Sequence, residues 1–309
     1  IDPTAILAPF YFLFFGLMLS DAAYGLILTT LCAIILKKYK PEGTTHRMIK
    51  MFMFCGLSTF MWGALFGGWF GNFFTVAAKT FFGKEFVIKP LWFDPLSEPM
   101  RLLVVSLILG AIHLFVGMGV QAYMDIKDGR PLDALFDIGL WYLLLIGIVL
   151  FAFGGKLGAG AVGIGKIMAI IGAVGILLTG GRKKKGIFGK LTGGLGSLYG
   201  ITSYLSDVLS YSRLLALGLA TGVVAQVFNT LGSLAGGGIA GSILLIVVFA
   251  FGTVFNIAIN ALGAFVHSCR LQYVEFFGKF YTGGGRPFAP FGRKTKYIKI
   301  LKEGNDNVK

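Results

Sequence analysis

Long apolar segments recur along the whole chain and alternate with short polar loops. A helix that spans the hydrocarbon core of a bilayer needs about 20 predominantly apolar residues. Because such segments recur from one end of the chain to the other, a single N-terminal signal peptide does not explain them. The pattern predicts an all-α fold, a polytopic transmembrane helix bundle. The seven segments are Ile6–Leu36, Met48–Ala78, Leu102–Met124, Phe136–Phe153, Ile164–Thr179, Leu195–Leu231 and Ile239–Phe280.

The lengths of these segments leave the number of crossings open between seven and eight. The first segment is long enough to hide a break, and a break within Gly16–Asp21 would split residues 4–39 into a short helical hairpin. Eight crossings would place both termini on the same side of the membrane, and seven would place them on opposite sides. The last two segments are longer than a perpendicular span requires, so we expect these helices to tilt or to project from the bilayer.

Charge is distributed unevenly between the loops. The chain has 28 Lys and Arg residues against 14 Asp and Glu, a net charge of +14, although 56% of its residues are hydrophobic. A soluble protein this basic would suggest a nucleic-acid partner. Here the basic residues lie in short loops, which indicates membrane orientation instead, so we expect no nucleic-acid partner. The basic clusters expected to be cytoplasmic are Lys37–Lys50, Arg182–Lys190 and Arg286–Lys302.

The same pattern divides the chain into three parts. Residues 1–190 are predicted to form a membrane scaffold bundle, residues 191–285 a long two-helix unit, and residues 286–309 a basic cytoplasmic tail. The loop between the two long helices, Gly232–Gly241, carries no charge and should face the opposite side of the membrane. Because the chain begins at Ile1 without Met, we expect an N-terminal part to precede it.

Two polar stripes lie on the last two segments, and each ends at an arginine. Their residues recur at steps of 4, 3, 4 and 3, which places each set on one face of a helix. Asp207 lies beside the first stripe. Since consecutive spanning helices run antiparallel, the stripes lead inward from opposite faces of the membrane, as two offset half-channels would. The stripes are Tyr199, Ser203, Ser206, Ser210 and Arg213, and Asn256, Asn260, Gly263, His267 and Arg270.

A charge near the bilayer centre costs roughly 2.5–3.5 kcal/mol on insertion scales, so two such arginines favour a functional role. The alternatives are snorkelling to the interface and, for Arg213, a buried ion pair with Asp207. Arg213 precedes Gly237 by 24 residues and Arg270 follows it by 33, so the two depths would differ by about 13 Å unless tilt or uneven helix ends absorb the difference. Glu275 is a further half-channel candidate, although its spacing from Lys279 is also that of an i, i+4 surface pair.

Other chemistry is weakly represented. His113 and Asp21 are each ambiguous between a structural contact and a role in an ion path. The three cysteines lack metal spacing and are expected to be packing residues. The Gly-rich stretch 154–181 lacks the features of a phosphate loop, so no metal, cofactor or catalysis by this chain alone is expected.

A secondary transporter with a substrate site at an intramembrane arginine remains an alternative, but it predicts an inverted repeat that the sequence does not have.

The two arginine motifs carry a resemblance to a known family. The motif Ser206–Ala220 (SDVLSYSRLLALGLA), with His267–Phe277 (HSCRLQYVEFF) and Gly283–Phe291 (GGGRPFAPF), resembles the membrane domain of subunit I. Subunit I is the a-type stator subunit of archaeal and bacterial V/A-type ATPases. Phe15–Gly25 resembles the opening membrane motif of the same family, with Ser20 where the family usually has Gly.

The resemblance implies eight membrane helices after a large cytoplasmic arm, in a prokaryotic plasma membrane. Arg213 would be the family's essential arginine and Arg270 its second one, both facing a proteolipid ring whose subunits carry ion-binding carboxylates. The ion would be H⁺ or Na⁺, and peripheral stalk subunits would bind the arm, which this sequence lacks. Asn260 and Asp207 stand where eukaryotic relatives have an acidic residue and a histidine, so the half-channel residues transfer less securely than the arginines.

Overall fold

The structure is a computed structural model that describes residues 3–83, 87–154, 159–180, 182, 187–234, 236, 238–281, 283–285 and 288. All regular secondary structure in these ranges is helical, and seven helices are long and apolar enough to cross a membrane, with a shorter apolar helix at the N-terminal end. This confirms the predicted fold class. The helices are α1 Thr4–Leu19, α2 Ala22–Tyr39, α3 Gly43–Phe66, α4 Phe73–Phe82, α5 Pro99–Lys127, α6 Pro131–Ala134, α7 Leu140–Phe153, α8 Ala159–Thr179, α9 Ile187–Ser210, α10 Ser212–Ser233, α11 Ile239–Arg270 and α12 Phe277–Phe280.

The first apolar segment is broken at Ser20 and Asp21, within the predicted stretch. Ser20 ends α1 in a left-handed conformation with φ of 31°, and Asp21 caps α2 by accepting hydrogen bonds from the N–H groups of Ala23 (3.0 Å) and Tyr24 (3.2 Å). A side-chain carboxylate at this position satisfies N–H groups that have no partner within the helix. The two halves are therefore separate helices.

α1 and α2 lie on α3 rather than along each other. The Ser58 hydroxyl donates to the Phe12 carbonyl (2.6 Å), and a Cβ on Gly63 would lie 2.0 Å from the backbone N of Ala22. Thr4 and Met48 border the same groove. α1 therefore runs parallel to α3 and α2 antiparallel to it, so that α1 starts on the side of the connection between α2 and α3. This is the arrangement expected from eight crossings.

Asp21 also ties this break to the loop that follows α3. Its Oδ1 accepts from the Phe70 N–H (3.2 Å) and its Oδ2 from the Gly71 N–H (3.0 Å), while the Ala22 N–H donates to the Gly68 carbonyl (2.8 Å). The loop takes left-handed backbone conformations at Gly67, Phe70 and Gly71. One buried carboxylate thus satisfies four backbone donors from two segments.

Replacing Asp21 by alanine is expected to lower the free energy of unfolding by about 3 kcal/mol, because several buried N–H groups lose their acceptor at once. The control is Asp94→Ala, since the Asp94 carboxylate accepts from the Leu96 N–H (3.0 Å) at a turn, and its loss should cost about 1 kcal/mol. Thermal unfolding of the purified protein in detergent measures both. Equal effects of the two substitutions would contradict the role of Asp21 in tying the helix break to the loop after α3.

α7 and α8 share the most extensive contact of any two helices in the described ranges. A Cβ on Gly147 would lie 2.5 Å from the Ala169 N, and one on Gly172 2.8 Å from the Leu144 N, so the two backbones are in contact where the glycines stand. The N-terminal end of α7 holds the pair to the bundle. There Trp141 packs on Tyr204, and the Tyr142 hydroxyl donates to the Phe115 carbonyl.

The last two segments each span 42 residues, Thr192–Ser233 and Ile239–Phe280, which confirms that both are longer than a perpendicular span requires. Neither is a uniform α-helix. The sixth segment is interrupted at Tyr211, where the Tyr211 N–H bonds to the Val208 carbonyl and the Leu214 N–H to the Tyr211 carbonyl, each three residues back. In the seventh, α11 passes into a π-helical stretch, Leu271–Phe276, immediately after Arg270.

The pairing of α10 with α11 sets the relative depth of the two arginines. Gly263 lies against Leu217 and Gly252 against Phe228, so the helices run antiparallel. Arg213 is four residues before Leu217 and Arg270 is seven after Gly263, and this difference of three residues corresponds to about 4.5 Å along the axis. Uneven helix ends largely absorb the offset of about 13 Å counted from the loop, because Gly232 packs against Leu245 and the first turns of α11 extend beyond α10.

Of the basic clusters, the first joins α2 to α3. In the second, Arg182 is paired with Asp133 and Asp137, which links the C-terminal end of α8 to α6 and to the π-helical turn Leu135–Gly139 before α7. The predicted basic tail, residues 286–309, lies outside the described residues except for residue 288.

Candidate functional site

Arg213 lies in the first turn of α10, directly after the interruption at Tyr211. Its side chain is 25% exposed, and its Nη1 lies 3.8 Å from Glu275 Oε1. That distance joins two opposite charges but is too long for a hydrogen bond. The Nη1 atom is buried and has no hydrogen-bond partner among the described residues. The guanidinium is thus held at the edge of the bundle with part of its donor capacity unused.

Glu275 is the negative charge nearest to Arg213 among the described ion pairs. Its residue is 4% exposed, it lies in the π-helical stretch after α11, and its Oε1 also accepts from the Ser210 hydroxyl. The expected surface pair of Glu275 with Lys279 was therefore wrong. An i, i+4 pair requires regular α-helical spacing, and the π-helical backbone turns Glu275 inward.

Lys279 instead binds Asp207, and its ammonium lies 4.1 Å from the centroid of the Tyr204 ring. The alternative of an ion pair between Arg213 and Asp207 was also wrong, since the partner of each is a different residue of the last segment. Two ion pairs, Asp207 with Lys279 and Glu275 with Arg213, therefore follow one another along the contact between the sixth and seventh segments.

The first polar stripe points largely away from the bundle. Tyr199 is 75% exposed, and Ser203 and Ser206 are also exposed, whereas Ser210 is half-buried through its bond to Glu275. These hydroxyl groups line no closed channel within the described part of this chain. They form a polar strip on its outer surface that leads to Arg213.

The second stripe begins inside the bundle and ends outside it. Asn256 is fully buried and donates to the Tyr24 hydroxyl (3.0 Å) and the Thr221 carbonyl (3.1 Å), and Asn260 donates to Asn256. His267 is half-buried and Arg270 is exposed. The two asparagines thus bind α11 to α10 and α2, and only the arginine end of the stripe reaches the surface.

Unsatisfied polar atoms are concentrated around the two arginines. Among the described residues, five buried side-chain atoms have no hydrogen-bond partner, and four of them belong to residues of this region. Native proteins leave few such atoms, and each one calls for an explanation. The four are Arg213 Nη1, His267 Nδ1, Gln272 Nε2 and Glu275 Oε2, and the fifth is Arg182 Nη1.

Sequence patterns did not single out Tyr211 or Gln272, which are fully buried beside the arginines. The Tyr211 hydroxyl lies 2.7 Å from His113 Nδ1, and His113 Nε2 lies 3.1 Å from Gln272 Oε1. His113 is therefore the packed, hydrogen-bonded helix contact that was one of its two interpretations. Gln272 lies between Arg270 and Glu275 in the sequence, and this proximity was the available signal for it. No group of His, Cys, Asp and Glu side chains able to hold a metal occurs among the described residues.

Comparison with known proteins supports the resemblance seen in the motifs. Residues 201–293 match the V-type ATPase 116kDa subunit family. The chain is 35% identical over 328 residues to the A-type ATP synthase subunit I of Methanocaldococcus jannaschii, covering 96% of this chain and 46% of that protein. The subunits I of Thermococcus kodakarensis (37%, covering 98% and 45%) and Pyrococcus horikoshii (38%, covering 97% and 44%) are similarly related.

The chain thus spans somewhat less than half the length of the curated relatives that it matches. The matched stretch 201–293 includes both arginines, Glu275 and the interruption at Tyr211. Together with the helices long enough to cross a membrane, these similarities identify a multi-pass membrane protein. The chain is similar to subunit I of A-type ATP synthases over nearly its whole length, and its residues 201–293 match the V-type ATPase 116kDa subunit family.

Proposed function

We propose that this chain is the membrane part of the stator subunit of a rotary A/V-type ATPase, and that it passes H⁺ or Na⁺ to and from a rotating proteolipid ring. It is not catalytic alone, because the chemistry of ATP belongs to other subunits of the complex. In this proposal the C-terminus is cytoplasmic and the membrane is the plasma membrane of a prokaryote.

The observation that carries the proposal is the Arg213 guanidinium, which is half-buried, charged and incompletely bonded at the edge of the bundle. A guanidinium has five N–H donors and stays charged in any protein environment. Because the side chain is 25% exposed, the guanidinium can also bind an acceptor supplied from outside the chain. An ionised carboxylate on a ring subunit is the acceptor that fits.

The cycle then follows from electrostatics. A ring carboxylate surrounded by lipid is stable only when its bound ion neutralises it, because an unpaired charge is costly in a low-dielectric medium. Near Arg213 the ionised form is favoured, so the ion leaves along one polar path. Beyond Arg213 the carboxylate is reloaded from the other path, and the fixed positive charge prevents direct leakage between them.

The other site residues have subordinate parts in this proposal. The exposed hydroxyls of Tyr199, Ser203 and Ser206 form one wall of a path whose other wall is the ring. Arg270 and His267 lie at the end of the second path, and His267 is within electrostatic range of both guanidinium groups. Asp207 and Glu275 supply negative charge beside the first path, and Asn256 and Asn260 hold the helices that border the second.

Photo-crosslinking tests whether this face meets the ring. Ser212 and Ala216 are exposed on either side of Arg213, so a photoreactive maleimide on a cysteine at either position should attach to the proteolipid subunit in the assembled complex. Matched controls are cysteines at Ile167 and Val174, which are also exposed and lie on α8. Mass spectrometry identifies the adduct. Labelling of the proteolipid from α8 alone, or from neither helix, would refute the ring-facing assignment.

A further inference from the structure

A buried polar network joins α5 to both arginine-bearing segments. His113, Tyr211 and Gln272 are each at most 1% exposed, and they lie on α5, at the interruption between α9 and α10, and in the π-helical stretch after α11. With Gln272 Oε1 as an acceptor, His113 Nε2–H donates to it (3.1 Å). His113 Nδ1 then accepts from the Tyr211 hydroxyl (2.7 Å). Both ring nitrogens of the neutral imidazole are used.

α5 is shaped to receive these partners. A Cβ on Gly110 would lie 2.3 Å from Tyr211 Cγ, and one on Gly117 would lie 3.1 Å from Phe276 Cδ2. Gly110, His113 and Gly117 are spaced by three and four residues, so they share one face of the helix. The Phe276 ring stacks on the His113 imidazole, with centroids 4.3 Å apart and planes 7° apart. This face of α5 therefore accommodates the Tyr211 ring at Gly110 and the Phe276 ring at Gly117, on either side of His113 along the helix.

The two residues that bond to His113 stand at irregular points of the backbone. Tyr211 is two residues before Arg213, where hydrogen bonds run three residues back rather than four. Gln272 is two residues after Arg270, where the chain has become π-helical. At such points the α-helical ladder does not fix the direction of the next turn. A tertiary contact must fix it instead.

We propose that His113 is a positioning residue: through Tyr211 and Gln272 it sets the orientation of Arg213 and Arg270 relative to each other and to the partner that they meet. One imidazole on a third helix thereby fixes the backbone beside both arginines. This inference rests on the proposed function for its consequence in transport, but its structural part can be tested separately.

Three variants of the intact complex separate the possibilities. His113→Leu removes both hydrogen bonds, Tyr211→Phe removes one hydroxyl with little change of shape, and His113→Gln keeps a donor and an acceptor. Ion transport per assembled complex should fall about tenfold or more in His113→Leu, since small displacements of an acting group have effects of this size. It should fall less in Tyr211→Phe and keep at least about half in His113→Gln. His46→Leu, a substitution of an exposed histidine on α3, should change nothing.

A spectroscopic measurement reports the orientation itself. Spin labels at Ser203 and Val223, which are exposed on either side of the interruption, give the distance between α9 and α10 in a background with the native cysteines replaced by alanine. We expect the distance distribution to shift or broaden in His113→Leu and to be restored in His113→Gln. An unchanged distribution in His113→Leu would overturn the inference, and so would a changed distribution with unchanged transport. Normal transport by Arg213 variants would instead overturn the proposed function and leave the distance result standing.

Discussion

Ion transport by the assembled complex is expected to fall by at least about 100-fold when Arg213 is replaced by glutamine. Two unit charges about 4 Å apart near a protein surface interact by about 4 kcal/mol, and each 1.4 kcal/mol is a factor of ten in an equilibrium. In the proposed cycle, a ring carboxylate releases its ion because the guanidinium favours the ionised form, and this stabilisation is lost in the variant. Transport is measured as ATP-driven ion uptake into proteoliposomes that contain the reconstituted complex.

Arg213→Lys distinguishes charge from geometry. The lysine ammonium is a compact charge that loses its proton more readily in a low-dielectric site and cannot bind a carboxylate through two parallel donors. We therefore expect this variant to assemble normally but to be uncoupled or inactive. Arg101→Gln is the control, because the side chain of Arg101 is 66% exposed and pairs with Glu98. Normal pumping by either Arg213 variant would refute the assignment.

The second large effect is expected from Glu275→Gln. This substitution removes the negative charge 3.8 Å from Arg213 and leaves the guanidinium without an ion-pair partner among the described residues. Removing one partner of a fully buried ion pair costs about 3–5 kcal/mol. Because the side chain of Arg213 is 25% exposed, solvent screening reduces this to about 1–3 kcal/mol. Transport should fall at least about tenfold, because a guanidinium that has lost this partner is no longer held in place.

A double-mutant cycle separates the two consequences of Glu275→Gln. In the Arg213→Gln, Glu275→Gln double variant, the stability lost through the unpaired charge should be largely regained, since no charge remains to be paired. Transport should stay absent. Thermal unfolding in detergent and ion uptake are measured on the same preparations. The control is Asp137→Asn, which alters a more exposed pair with Arg182 and should change stability by less than about 1 kcal/mol. Additive stability effects of the two site substitutions would contradict the pairing.

The sequence predicts much of the fold because helices that cross a membrane require long apolar segments. The seven segments, the break before Asp21 and the great length of the last two helices all follow from run length and from the position of polar residues. The irregular points of the backbone do not follow from these two properties. The interruption at Tyr211 and the π-helical stretch Leu271–Phe276 occur where the local sequence has no proline or glycine, and tertiary contacts with α5 accompany both.

The candidate site illustrates the same limit. Helical spacing predicted that Tyr199, Ser203 and Ser206 share a face, and these three residues are all exposed. Spacing cannot say whether a polar face points into a bundle or out of it, because both give the same period. The inward turn of Glu275 was missed for a related reason, since the i, i+4 rule assumes an α-helix where the chain is π-helical. The functional roles of the site residues stay predictions.

The tight contact between α7 and α8 has a consequence for biosynthesis. These two apolar helices are joined by a short connection, and the glycines between them let each cover the other's backbone while contacts at the Trp141 end hold the pair to the rest of the described structure. Such a pair buries its own interface without waiting for later segments. We expect it to leave the translocon as one preassembled hairpin and to tolerate sequence drift on its lipid side, as long as the small residues along its seam are kept.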